Sequence, residues 1–293
     1  MAREHRRFVS WDVCRGRTLG PAPFFVVGIL NVTPDSFYDG GQAAGVEQAV
    51  AKGLDLLDQG ADILDIGGES TRPYADPVSV RAELDRVLPV VSGILEAAPE
   101  AVISIDTTKG AVAEACLQAG ALIVNDVGAG QADSGMPDVV SAYHAGYVLM
   151  HSRGTPQDMQ VAPRYNHVVD DILAFFADRM ECLLRSGIRE SAIVLDPGIG
   201  FGKTLEHNLE ILANIDRFFD FGRPVYMGLS NKSLWKGLLG RDGRDRNAAT
   251  LAATVHLYNQ GVRIHRVHEV RETKDALVVV ETLRHVSGGE RRC

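Results

Sequence analysis

The chain of 293 residues is 45% hydrophobic and 23% charged with a formal net charge of -8, and its pI is near 5.6. That length carries one large α/β domain or two small ones, and the acidic balance argues against a nucleic-acid surface, because phosphate backbones are held chiefly by excess Lys and Arg. No apolar run reaches the roughly 20 residues that span a bilayer, and the basic start Met-Ala-Arg-Glu-His-Arg-Arg is followed by no apolar segment, so a cytosolic protein is expected. Cys14, Cys116, Cys182 and Cys293 are far apart with no Cys-x-x-Cys pair, which predicts reduced thiols rather than a disulfide frame or a zinc site.

Residues 1–23 carry two short alternating pieces around Arg15-Gly-Arg17 and end at Pro21-Ala-Pro23; they predict an N-terminal hairpin or arm ahead of one domain over 24–293. From Phe24 onward strand-like and helix-like pieces alternate. Strands are expected at 24–30, 62–67, 101–106, 121–125, 146–151, 192–196, 224–229 and 262–266, and helices near 46–60, 78–98, 109–119, 135–144, 166–187, 205–215, 245–260 and 270–284. Ile172, Phe175, Phe176, Met180 and Leu183 recur every three to four residues, as one buried helix face requires. Eight such units predict an α/β fold of the (β/α)8 TIM-barrel kind. An open doubly wound sheet would place a Gly-x-Gly-x-x-Gly turn after the first strand, and Gly28-Ile-Leu-Asn-Val-Thr33 is not one.

In such a barrel the strand-to-helix loops gather on one face, so residues distant in sequence become neighbours. The strand ends supply Asn31, Glu69, Asp106, Asn125-Asp126, His151, Asp196, Ser230-Asn-Lys232 and Arg266-Val-His268. Asp106, Asn125, Asp196 and Lys232 offer acceptors, an amide and a cation, an inventory suited to a flat amino-pyrimidinone heterocycle. Arg266 can stack on such a ring, and Arg266 with His268 can donate to phosphate oxygens. The run Asp196-Pro-Gly-Ile-Gly-Phe-Gly-Lys203 is not a phosphate loop, since Pro197 stands where the Walker pattern needs glycine.

Gly28-Ile-Leu-Asn-Val-Thr-Pro-Asp-Ser-Phe37, Gly68-Glu-Ser-Thr-Arg-Pro73, Ser104-Ile-Asp-Thr107, Val124-Asn-Asp126, Leu149-Met-His-Ser-Arg-Gly-Thr155, Asp196-Pro-Gly-Ile-Gly-Phe-Gly-Lys203 and Arg266-Val-His268 resemble the successive signatures of the dihydropteroate synthase family. The resemblance implies a folate-pathway TIM barrel that joins a 7,8-dihydropterin-6-ylmethyl diphosphate to 4-aminobenzoate and releases diphosphate. It assigns Asp106, Asn125, Asp196, Lys232 and Arg266 to the pterin, and Asn31, Arg266 and His268 to the diphosphate. Asn31 matches the family's magnesium-linked asparagine, and Mg2+ is the expected cofactor. Phe37, Thr71, Arg72, Pro73, Phe201, Lys232 and Ser233 would surround the aminobenzoate, and Asp106, Asp196, Lys232, Arg266 and His268 would carry the chemistry. A homodimer through helices on the barrel wall is also implied. Asn231 departs from the pattern by replacing a usual arginine, and Glu269 stands where aspartate is usual. A catalytically weakened pterin-binding paralogue and a pterin-dependent methyltransferase domain are the competing expectations.

Overall fold

Short runs of branched apolar residues form strands that are covered on both sides. The computed structural model describes residues 7–33, 42–70, 76–154, 159, 163–230, 232, 234–240 and 246–289. The central strands are β3 (Phe25–Asn31), β4 (Ile63–Gly67), β5 (Ile103–Asp106), β6 (Ile123–Asp126), β7 (Gly146–Met150), β8 (Ile193–Asp196), β9 (Tyr226–Gly228) and β10 (Ile264–Val267). Every residue of β4 through β8 is buried, as parallel strands walled by helices require. All pairings among them are parallel, in the order β8-β7-β6-β5-β4-β3-β10-β9. The two ends of this order meet where the Leu195 N–H donates to the Pro224 carbonyl at 2.9 Å and Leu195 bridges Val225, closing the ring.

The helices between strands are α1 (Gln42–Asp58), α2 (Val80–Ala97), α3 (Gly110–Ala119), α4 (Met136–Tyr143), α5 (Val168–Arg185), α6 (Leu205–Ala213), α7 (Leu234–Leu239), α8 (Asn247–Gln260) and α9 (Val270–Gly289). In α2 the Ser79 hydroxyl caps the first turn by accepting from the Ala82 N–H. In α5 Val168, Ile172, Phe176, Met180 and Leu183 form the buried stripe. Gly120 and Gly261 stop α3 and α8 at φ 125° and 119°, conformations that cost a side-chain-bearing residue energy. The expected eight-unit barrel is therefore present. It differs from the sequence reading by α7 and by a 3-10 turn over Ile215–Phe221, both too short to show a period.

The N-terminal strands β1 (Val9–Asp12) and β2 (Thr18–Ala22) pair antiparallel. The hairpin lies against the N-terminal ends of the barrel strands: the buried Trp11 indole N–H donates to the Ala192 carbonyl at 2.7 Å, and the Cys14 N–H donates to Leu122 at 3.2 Å. A side chain at Gly146 would come within 2.9 Å of Val13 and 3.2 Å of the Trp11 indole nitrogen, so this strand start is glycine because the hairpin sits against it. The hairpin covers the face opposite the strand-end loops. Trp11→Ala is expected to lower the unfolding free energy by about 3–5 kcal/mol, as for other buried aromatics. Denaturant titration reads this, and a loss below about 1 kcal/mol would show that the hairpin does not secure the barrel.

Candidate active site

Period-two alternation along neighbouring strands puts one polar layer at the C-terminal mouth of the barrel. Asp106 is the register partner of Asn125, Met150 of Asp196 and Arg266 of Gly228. All six line one narrow cavity together with Phe201 and Lys232. The five residues assigned to the pterin thus converge from β5, β6, β8, β10 and the loop after β9. Asn31 and His268 are not among the described walls of this cavity. They stand beside it at the ends of the paired strands β3 and β10, where the Ser230 hydroxyl lies 2.9 Å from the His268 Nδ1. A wider hollow on the opposite face, beneath the hairpin, is lined by Phe8, Asp12, Phe219 and Arg263 and gathers none of these groups.

The carboxylates at the mouth are buried, and Asp106 is paired with Arg266. Arg266 donates from Nε to Asp65 at 2.6 Å and from Nη2 to Asp106 at 2.7 Å. The second Asp106 oxygen, Oδ1, is buried with no partner among the described residues, an acceptor left unused on a residue that lines the cavity. Burial pushes the Asp106 carboxyl up, and Arg266 pulls it part of the way back. Burial likewise lifts Asp196 to about 6, against the Gly198 N–H and the charges of Lys232 and Lys203. The same burial lowers Lys232 to about 8, countered by Asp196. The Lys232 ammonium sits 4.3 Å over the Phe201 ring, a cation–π contact that holds both side chains at the cavity wall. Asn125 donates one amide N–H to Asp65 at 2.9 Å, which leaves its carbonyl oxygen and second N–H for a ligand.

The glycine-rich loop after β8 owes its shape to close backbone contacts. Side chains at Gly198 and Gly202 would fall 1.9 and 2.2 Å from the carbonyl oxygens of His151 and Arg153, at φ 68° and 64°. Lys203 is buried and points back into its own loop, donating to His151 Nδ1 at 2.9 Å, to Gly198 O at 2.9 Å and to Phe201 O at 3.0 Å. The cation of this glycine-lysine run is used to tie the loop carrying Phe201. Burial depresses Lys203 to about 7 and His151 to about 2, so the imidazole stays neutral and accepts from the ammonium. His151 is a packed core group, 4.8 Å edge-on from Phe175.

Two strand-end acids serve the scaffold. Asp126 accepts from the Gly128 and Gly130 N–H groups at 2.7 and 2.6 Å and from the Tyr147 hydroxyl at 2.7 Å. Glu69 accepts from the Val78 N–H at 2.7 Å and from Lys109 at 2.6 Å, and Lys109 also reaches the fully buried Glu83 at 2.6 Å. Burial works against the Lys109 ammonium, but its bonds to Glu69 and Glu83 raise its pKa overall. Phe37, Thr71, Arg72, Pro73, Asn231 and Ser233 lie outside the described residues. Asp65, a carboxylate in the middle of the apolar strand Ile63-Leu-Asp-Ile-Gly67, is not among the strand-end candidates. Its signal was that interruption, since a charge at a doubly covered position needs partners.

The pterin binding enzyme family model matches residues 27–268, and similar proteins include dihydropteroate synthases. A dihydropteroate synthase of Escherichia coli strain K12 is 40% identical over 267 residues, 91% of this chain and 94% of that one. A Xanthomonas albilineans dihydropteroate synthase with 4-aminobenzoic acid superposes with a TM-score of 0.87 at 41% identity, covering 94% of this chain and 98% of that one. The same organism's enzyme in complex with 7,8-dihydropteroate gives 0.84 at 39% identity, covering 94% and 99%. With a shared fold, close sequence identity over nearly the whole length and the polar layer at the barrel mouth, the chain belongs to the dihydropteroate synthase family.

Proposed function

We propose that this chain, a transferase, joins a 7,8-dihydropterin-6-ylmethyl diphosphate to 4-aminobenzoate at the barrel mouth and releases diphosphate. The observation that carries the reading is the set of acceptor-bearing residues that line one cavity: Asp106, whose Oδ1 has no partner among the described residues, Asn125 and Asp196. A dihydropterin presents a ring edge rich in N–H donors, and Lys232 and Arg266 supply donors for its ring acceptors. The Asn31 side-chain oxygen suits a hard cation, which takes one or two protein oxygens with substrate phosphates and water, and no described cluster of three His, Cys, Asp or Glu offers a protein cage instead. Asn31 would hold magnesium, whose bound charge would help neutralise the diphosphate.

The residues of the chain divide the work between the two sides of the breaking bond. Asp106 and Asp196 set negative charge against a ring that becomes cationic as the carbon–oxygen bond opens, and preorganised charge of this kind is worth most in a buried site. Arg266 and His268 face the departing diphosphate. The ring nitrogens can share the positive charge of the methylene, so carbon–oxygen cleavage runs ahead of attack and the path is dissociative; the arylamine, neutral at pH 7, then forms the carbon–nitrogen bond without a strong general base and gives up one proton to the departing diphosphate or to water. Phe201 and Lys232 form the wall toward the aminobenzoate, with Phe37, Thr71–Pro73 and Ser233 as the assigned remainder of its pocket. The reading includes a cytosolic enzyme acting as a homodimer. The α9 face bearing Val278, Val279 and Val286, which are 48%, 57% and 63% exposed, is the surface that a second copy would cover.

The deciding assay is coupled diphosphate release with the pterin diphosphate and 4-aminobenzoate, with and without magnesium. Release is expected only with both substrates; pterin binding without release would instead favour a catalytically weakened paralogue. Asp196→Asn is expected to lower turnover about 100-fold or more, the range for loss of one electrostatic stabiliser, and turnover within threefold of wild type would remove that role.

Asp196 also imposes a pH dependence of known sign. Its folded value of about 6 lies above the ordinary 3.8, so its contribution to stability is full below about pH 4 and is lost as pH rises through about 6. The unfolding free energy of wild type should therefore fall relative to Asp196→Asn over that window, while pterin affinity of wild type rises as the carboxylate ionises. Parallel curves for the two proteins would contradict the assignment. Sedimentation should give twice the monomer mass, and Val279→Glu with Val286→Glu should return the single mass; a wild-type monomer would sink the dimer.

A further inference from the structure

We propose that Asp65 is a positioning residue for the transfer: its buried carboxylate holds Arg266 and Asn125 in place and through them sets how the pterin is gripped. The proposal rests on the function proposed above and deepens it. Asp65 is fully buried and lies one layer beneath the cavity, since its register partner is Ser104 while Asp106 pairs with Gly67 two residues further along. It is not among the described cavity walls, so it acts only through neighbours. Its Oδ1 accepts from the Ser104 hydroxyl at 2.6 Å. Its Oδ2 accepts from Arg266 Nε at 2.6 Å and from Asn125 Nδ2 at 2.9 Å.

This pattern decides two orientations at once. An arginine offers Nε and one terminal nitrogen along the same edge of its planar fork. Here that edge is split between Asp65 on β4 and Asp106 on β5, which fixes the guanidinium plane and directs the remaining terminal nitrogen away from both acids. Asn125 can place its amide either way round, and the carboxylate beneath it selects nitrogen down and oxygen up, toward the cavity. A serine or asparagine at position 65 could not do both, because neither offers an anionic oxygen with several lone pairs.

The arrangement also couples Asp65 to Asp106. Burial lifts the Asp106 carboxyl most and Arg266 draws it down, while the charges of Asp65 on β4, Glu83 on α2 and Asp126 on β6 add to the lift. Removing the charge at position 65 leaves Arg266 to pair with Asp106 alone, which moves the ionisation of Asp106 to lower pH.

The test is Asp65→Asn, nearly isosteric, measured by direct titration with the pterin diphosphate and by steady-state kinetics. Loss of the anchor is expected to weaken pterin affinity and lower kcat by about 10- to 100-fold, the usual scale for residues that orient a ligand-binding group from behind. The KM for 4-aminobenzoate should stay within threefold, and the acid limb of pterin binding should move to lower pH. In an Arg266→Ala background, the further effect of Asp65→Asn should shrink to what Asn125 alone transmits. Should Asp65→Asn not fold, Ser104→Ala removes one hydrogen bond from the same carboxylate without touching the cavity, and a three- to tenfold loss of pterin affinity is expected. Pterin affinity and kcat within threefold of wild type in the folded variant would overturn the proposal, as would an undiminished effect in the Arg266→Ala background. A wild-type chain that binds pterin but releases no diphosphate would sink the proposed function instead, and the titrations would still decide the role of Asp65.

Discussion

Two carboxylates and one guanidinium, all inside the barrel, constrain everything at its mouth. A single buried charge would be expelled or neutralised, and a buried pair survives only when hydrogen bonds satisfy its remaining atoms. Arg266 meets Asp65 and Asp106, Asp65 meets Ser104 and Asn125, and the one oxygen left without a partner among the described residues is Oδ1 of Asp106, a residue of the cavity wall. The unsatisfied atom is thus located where a ligand can satisfy it. A binding site of this kind lowers the stability of the empty protein and recovers it on binding.

The surrounding structure keeps that cluster dry and in register. Eight parallel strands give alternate residues to the interior, and because the ring is closed, Asp106, Asn125, Asp196 and Arg266 occupy one layer. The hairpin covers the opposite end through Trp11 and Cys14. Lys203 holds the loop of Phe201 by three carbonyl and imidazole contacts, and Lys109 ties Glu69 and Glu83 together beneath the loop after β4. These cations act on the scaffold, whereas Lys232, 4.3 Å from Phe201, remains at the cavity.

The eight-unit alternation, the helix stripes and the polar strand ends were legible because each is a local pattern: periods of two and 3.6, glycine stops, and acids placed where apolar runs finish. Convergence of Asp106, Asn125, Asp196, Lys232 and Arg266 followed from the barrel rule alone. The division of labour among charged residues was not legible. Asp126, Glu69 and His151 occupy the same kind of strand-end position as the cavity residues, and only the direction of each side chain separates a brace from a ligand contact.

Sequence by itself therefore determined the family, the barrel and the ring of candidates, since these depend on residue type and spacing along the chain. Tertiary structure decided that Asp65 bonds Arg266 and Asn125, that Asn125 gives its amide nitrogen to Asp65, and that Lys203 is spent on its own loop. The physical reason is that a hydrogen bond's partner is chosen by distance and direction in space. Asp65 and Arg266 are separated by two hundred residues of sequence and 2.6 Å of protein interior.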